Sequence, residues 1–430
     1  MNEVGAEWRQ AFAWIERTLG GRIVRAERQP RWRPAWLLDL ERDGAIVPLY
    51  FRGDRGQADH GVYALEHEWR VLGVLEAHGI PVPHVHAFCP APRGIVMDRS
   101  PGRANLATAA SEDERRAVLD HYLELLARMH AIDVAAFEAI GLARPETAEQ
   151  RGLLDFDVWE RAYRKRKQRA EPAIEYLIGW IRRSVPRDRT RVAFVCADAG
   201  QFLFDAGRVT AVIDLELATL GDPAADLGGL RGRDLSEPLG DLARGLATYE
   251  RLAGEPVDRD AVDFHTVRFN AVTPMALAHL VGAPQPGTDF VQFRAWYEIW
   301  TRTALEVIGA RLGLSLDPPP QAPPAAAPRD ASFAGYESDA AERLAVWRGR
   351  KESLGPVLDA ALFDDAGRLL GRSFATRAEA DAALEARAAR ATPEDDAALV
   401  ALLHRRALRD ESLLAPVLRE LAGARIQSIR

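Results

Sequence analysis

Along the chain, the period of apolar and polar positions changes several times, and each change marks an element. Trp8, Phe12, Ile15 and Leu19 recur at helical spacing, which predicts an amphipathic first helix ended by Gly20 and Gly21. The glycine pair fits a helix C-cap or a phosphate cradle, and without further pattern the cap is the simpler account. The period then shortens. Runs near 23–27, 36–40 and 46–52 read as three strands, with Arg42-Asp43-Gly44 as a turn. After a polar loop at 53–61, Leu65, Val71, Leu72 and Leu75 predict a helix over 64–78. Gly79-Ile80-Pro81-Val82-Pro83 stops that helix and starts an extended segment. Residues 94–97 read as a further buried strand, and Ser100-Pro101-Gly102 as a hinge.

Beyond the hinge the pattern is helical. Ser111 and Glu114 form a capping-box signature ahead of a helix bearing Val118, Tyr122, Leu125, Leu126 and Met129. His130, near its end, reads as a packed histidine. One helical stretch is expected over 156–185, with Trp159, Tyr163, Tyr176 and Trp180 as core, and others near 239–253, 262–281 and 290–312. His265, Arg268 and Trp296 in the last two are candidates for lining a substrate pocket. Residues 315–335 are rich in Pro and Ala and read as a semi-rigid linker. Residues 336–430 are charged and Ala-rich, with Thr392-Pro393 as a helix start. Leu399, Leu402, Leu403, Leu413, Leu414, Val417 and Leu421 suggest a helical hairpin there. This region carries no chemical motif, so a docking or self-association module is the default expectation.

The chemistry concentrates in 192–226. An apolar run there is followed by Asp198, a second run (Phe202-Leu203-Phe204) turns through Asp205-Ala206-Gly207, and a third is followed by Asp214. Two readings fit the acids. They end strands, or a hairpin brings them together to deprotonate a hydroxyl and hold a divalent metal. Arg52, closing a strand, and Glu68, inside the next helix, also allow two readings. They pair and reach a phosphate, or they are surface charges, whose pairing contributes only about 0–1 kcal/mol.

The 430 residues exceed one ordinary core. The formal charge of −7 excludes a typical nucleic-acid surface. The two cysteines, Cys89 and Cys196, make no disulfide framework or metal-site spacing. No signal pattern opens the sequence and no run approaches the ~20 apolar residues of a membrane span. A cytoplasmic location without membrane attachment is expected.

This order of elements resembles the aminoglycoside phosphotransferase-like branch of the protein-kinase-like fold, over roughly residues 19–314. The residues that carry the resemblance are EWRVL at 68–72, GIPVP at 79–83, LARMHAID at 126–133 and, above all, RVTAVIDLELATLGDPAADL at 208–227. It implies an α+β, bilobal fold: a β-rich N-lobe over 1–99, a mainly helical C-lobe over 100–314, the linker, and a C-terminal helical region over 336–430. Asp198 then matches the catalytic aspartate and Asp214 the magnesium-binding aspartate. Arg52 matches the phosphate-contacting cation and Glu68 its helix partner. Met97, Asp98 and Arg99 would face the adenine, and Asp226 would buttress the catalytic loop. The family pattern is His-Gly-Asp, four residues, then Asn; here it reads Cys196-Ala197-Asp198, two residues, then Gln201. Gln201 still offers a hard amide oxygen to Mg²⁺.

The implied activity is ATP- or GTP-dependent, Mg²⁺-dependent phosphorylation of a small-molecule hydroxyl. The block at 214–223 is similar to kinase domains fused to acyl-CoA dehydrogenases, which points to a hydroxyacyl-CoA or hydroxy acid. The altered loop motivates an alternative, a pseudokinase serving as a nucleotide- or metabolite-binding module. A hydrolase using Cys196 as nucleophile is a third and weaker reading, because a buried inert cysteine is the commoner case.

Overall fold

Alternating apolar positions in the first hundred residues build a five-stranded antiparallel sheet, preceded by helix α1 (Ala6–Leu19). Its strands are β1 (Arg22–Arg28), β2 (Ala35–Arg42), β3 (Ala45–Gly53), β4 (Val85–Pro90) and β5 (Arg93–Asp98), in the order β1-β2-β3-β5-β4. Helix α2 (Leu65–Ala77) lies between β3 and β4 in the chain. Ala11, Phe12 and Ile15 of α1 pack on Trp36, Leu38, Leu40, Phe51 and Val96 of the sheet. Gly20 takes φ 68° and its N–H donates to the Glu16 carbonyl, so the glycine pair is a helix cap. The computed structural model describes residues 5–31, 33–54, 62–285, 288–319 and 332–430. Most of the expected polar loop (55–61) and most of the expected linker (320–331) lie outside them.

The rest is mainly helical: α3 (Glu112–Ala131), α4 (Ala135–Glu138), α5 (Ala148–Leu153), α6 (Phe156–Arg166) and α7 (Pro172–Arg183) precede a small β region. There β6 (Ala193–Val195) pairs with β9 (Thr219–Gly221), and β7 (Phe202–Asp205) with β8 (Arg208–Val212). Then come α8 (Ala224–Arg233), α9 (Leu242–Ala253), α10 (Arg259–Leu277), α11 (Phe290–Arg311), α12 (Phe333–Leu370), α13 (Arg377–Ala388) and α14 (Asp396–Ser412). A β-rich lobe on a helical lobe, with a helical C-terminal region, is the bilobal kinase-like architecture.

Three expectations need correction. The single helix over 156–185 is two, α6 and α7, because Pro172 can open a helix but cannot continue one. At the start of α3, Ser111 accepts from the Glu114 N–H, but the Glu114 carboxylate reaches the Ala110 N–H and Arg103, so the box is only half formed. The C-terminal hairpin is a three-helix arrangement, α12 to α14, and the leucines expected to form its apolar face are covered by the rest of the chain. Leu399, Leu402 and Leu403 join the core made by α6, α7, α10 and α11, and Leu414, Val417 and Leu421 pack with Phe290, Ile299 and Trp300. These apolar residues are therefore buried within this chain.

Candidate active site

The loop after β6 is shaped by one buried acid. Asp226, on the first turn of α8, accepts from the Cys196 N–H (2.9 Å), the Ala197 N–H (2.9 Å) and His130 Nε2 (3.0 Å). His130 Nδ1 meets the Tyr249 hydroxyl at 2.6 Å, so this histidine is a packed structural group. Ala197 takes φ 63°, a conformation that costs a residue with a Cβ roughly 1–2 kcal/mol. Asp226 holds it there by two backbone bonds. Farther along the loop, the Gly200 N–H donates to the Tyr122 hydroxyl (2.7 Å).

Asp198 stands at the open side of this loop with two partners. Arg233 donates from Nε to Oδ1 (3.1 Å) and from Nη2 to Oδ2, and Gln201 Nε2 donates to Oδ2 (2.8 Å). Burial pushes the Asp198 pKa up to about 6 against the pull of Arg233. A carboxylate poised there suits a general base near neutral pH. Arg233 and Asp226 are seven residues apart on α8, two helical turns, so one helix face holds the three consecutive residues Cys196, Ala197 and Asp198.

Asp214 lies just past β8 with φ 59°. The Ile213 N–H donates to the Gln201 carbonyl (3.1 Å), which stitches the Asp214 turn to the Asp198 loop. Arg52, 5% exposed, donates from Nη2 to Asp214 and to Glu216 (3.3 Å), and from Nε to Glu68 (2.7 Å). Glu68 also accepts from the Leu215 N–H (3.2 Å). Burial raises the Glu68 pKa while Arg52 opposes it; Arg52 is held well above its ordinary value by its three acidic neighbours, against its own burial. Arg33 pairs with Glu216, completing a charged seam between the lobes.

Two cavities meet at this seam. The larger, about 750 Å³, lies between the lobes and is lined by Tyr50, Arg52, Leu72, Met97, Asp98 and Arg99. The smaller, about 300 Å³, lies in the helical lobe and is lined by Asp198, Arg233, Arg268, Trp296 and Trp300. Gln201 and Asp214 line both. An oxygen of Asp214 and Oε1 of Gln201 are hard donors, and the commitment of Gln201 Nε2 to Asp198 fixes which amide atom is the acceptor. This set suits Mg²⁺, which is commonly held by one or two carboxylates with waters and phosphate oxygens.

Asp198, Asp214, Gln201, Arg52, Glu68, Met97, Asp98 and Arg99 each line one or both cavities, whereas Asp226 is buried behind the loop. Around Met97–Arg99, however, the Asp98 N–H donates to the His84 carbonyl and the Arg99 N–H to the Pro48 carbonyl, so these two donors serve the N-lobe itself. Arg268 and Trp296 line the smaller cavity. His265 is absent from its lining; it is fully buried with Nε2 3.4 Å from Asp222, one turn below Arg268 on α10. The Cys196 thiol is also buried, and its pKa is pushed up by burial and by Asp226, which removes it as a nucleophile. Arg233, Glu216, Arg31 and Arg33 were missed by the sequence reading.

Residues 57–265 match the phosphotransferase enzyme family. Acyl-CoA dehydrogenase family member 10 of Mus musculus is 29% identical over 177 residues, covering 38% of this chain and 16% of the relative. Family member 11 of Rattus norvegicus is 28% identical over 211 residues, covering 46% of this chain and 25% of the relative. The chain thus aligns with a quarter or less of either protein. Among solved structures, a protein from Ralstonia eutropha JMP134, provisionally named an aminoglycoside phosphotransferase, aligns with a TM-score of 0.51 at 22% identity. That alignment covers 69% of this chain and 98% of the other, and it shows the shared fold.

Proposed function

With a phosphotransferase-family domain over residues 57–265 as premise, we propose that this protein transfers the terminal phosphoryl group of ATP or GTP to a hydroxyl of a small molecule. The observation that carries the reading is the meeting of the two cavities at Gln201 and Asp214, with Asp198 on the acceptor side. The interlobe cavity would take the nucleotide, with Arg52 beside its phosphates. The smaller cavity would hold the acceptor with its hydroxyl against Asp198. The hydroxyl oxygen attacks the terminal phosphorus, the bond from that phosphorus to the diphosphate oxygen breaks, and the hydroxyl proton passes to Asp198. Asp214 and Gln201 would hold Mg²⁺, which when bound neutralises charge on the phosphate oxygens.

For the acceptor we favour a hydroxyacyl-CoA or a hydroxy acid, supported by the acyl-CoA dehydrogenase names of the relatives. Asp198→Ala should lower phosphoryl transfer by about 10²–10⁴-fold while Mg·ATP still binds by calorimetry; unchanged turnover would remove Asp198 from the role of base. A second reading, a nucleotide-binding pseudokinase, draws on the engagement of both acids, Asp198 by Arg233 and Asp214 by Arg52. Mg·ATP binding without hydrolysis or transfer to any hydroxyl favours that reading, and absence of Mg·ATP and Mg·GTP binding overturns both.

A further inference from the structure

Two residues that line the smaller cavity, Arg268 and Trp300, carry buried hydrogen-bond donors that have no acceptor among the described residues. Arg268, 2% exposed, has neither Nε nor Nη2 hydrogen-bonded, and Trp300 Nε1 is likewise buried and unpaired. Arg268 Nη1 lies 3.5 Å from Asp155 Oδ1, near enough for charge balance but too long for a hydrogen bond. The other Asp155 oxygen is taken by the Tyr63 hydroxyl (3.2 Å) and Trp159 Nε1 (2.9 Å), so Asp155 is fixed and cannot swing to serve Arg268. Native interiors leave few such groups unpaired, because a buried donor without an acceptor loses its hydration and gains nothing in return, and a charged one loses more.

The unpaired pair of nitrogens on Arg268 is one edge of the guanidinium, the geometry that accepts a carboxylate with two parallel bonds. Leu217, Val272, Leu277 and Trp296 make much of the remaining wall apolar, and Asp198 lies in the same cavity. We propose that this cavity binds a hydroxylated carboxylic acid, its carboxylate accepting from Arg268 Nε and Nη2 and from Trp300 Nε1, and its hydroxyl directed to Asp198. The proposal rests on the kinase reading for the role of Asp198 and deepens it by choosing the free acid. A thioester would leave the guanidinium edge without an anion, and coenzyme A would have to lie outside a cavity of about 300 Å³.

The test is calorimetric titration, without nucleotide, of straight-chain hydroxyalkanoates of four to eight carbons and their matched primary amides. At least one acid should bind at least about tenfold more tightly than its amide. Arg268→Lys keeps the charge but loses the fork, and should reduce or abolish that preference by about 10–100-fold. Trp300→Phe, which removes only the N–H, should weaken the acid several-fold and leave the amide unchanged; if Arg268→Lys fails to fold, this variant decides. Absence of acid binding, equal binding of acids and amides, or full preference retained in the folded variants overturns the proposal. Separate titration with Mg·ATP keeps the two readings distinguishable. Acid binding without nucleotide binding sinks the kinase reading alone, and transfer to hydroxyl compounds with no carboxylate preference sinks the anion site alone.

Discussion

Removing Arg233 should move the acid limb of the activity profile rather than simply lower the rate. In the structure Asp198 is held between opposing effects. Burial raises its pKa, Asp214 and Glu237 push in the same direction, and Arg233 pulls it down, leaving it at about 6. An arginine in direct contact typically depresses a carboxylate by about 1–3 pKa units. In Arg233→Met, which keeps the length and drops the charge, Asp198 should therefore titrate about 1–3 units higher. At pH 7 a base of pKa about 6 is roughly 90% ionised, whereas one of pKa about 8 is roughly 10% ionised, so the rate falls about tenfold from titration alone. Above both pKa values the base is ionised in either protein, so this part of the loss is recovered as the pH rises. The assay is kcat/KM for the acceptor from pH 5 to 10 at saturating Mg·ATP, comparing the two profiles. The same Mg·ATP concentration in both assays makes the difference between the limbs a property of Arg233. A variant whose limb coincides with that of the parent, with a loss equal at every pH, would show that Arg233 does not set the charge of Asp198.

Two further outcomes follow from the same loop. Asp226→Asn presents an NH₂ to donors that now meet a carboxylate oxygen, and should cost about 3–5 kcal/mol; urea unfolding followed by circular dichroism reads it, and an unchanged midpoint would refute the buttress. Ala197→Gly removes the penalty of φ 63°, roughly 1–2 kcal/mol, and adds about 0.4–1 kcal/mol of unfolded-state entropy. Stability should therefore stay level or rise by up to about 1–2 kcal/mol in the same assay, and a clear loss would mean that the methyl group packs usefully.

What could be read from the sequence was local or periodic. The strands of the N-lobe, the capped first helix and the hairpin between Asp198 and Asp214 each announce themselves within a few residues. Asp226 was reached through a resemblance, and its physics is plain once it is seen to face two backbone N–H groups. Arg233 meets Asp198 across 35 residues of chain, and no local pattern specifies that contact. Arg268 and His265 could not be separated either. They are three residues apart on α10 and differ mainly in height along the helix, and only the packing of α8 shows which turn meets Asp222 and which meets the cavity. That packing is close because Gly228 and Gly232 present no side chain to α10, where a Cβ on Gly232 would meet the Phe269 ring at 2.3 Å. The break at Pro172 was legible in principle and was outweighed by the run of aromatic residues on either side.

The C-terminal helices, which carry no chemical motif of their own, bear on the site through the elements that frame it. Much of the smaller cavity is built on α8, α10 and α11, and each is tied to residues beyond 400. Arg231 of α8 donates to the Gln427 carbonyl (2.7 Å), and the Gln427 amide donates to Asp234 (2.7 Å), the residue after Arg233. Arg302 of α11, fully buried, donates to Glu411 (2.6 Å) and to the Ala424 carbonyl (2.7 Å). Asp263 of α10 pairs with Arg430. Arg302 lies about half a turn past Trp300, so the helix whose outer face is clamped by Glu411 presents Trp296 and Trp300 to the cavity on its other side. A charge buried with its partner resists displacement, since breaking such a pair costs about 3–5 kcal/mol. The placement of Trp300 and Arg233 is therefore set from behind by the C-terminal region. Its apolar residues and its buried ion pairs hold the wall of the smaller cavity in shape from outside it.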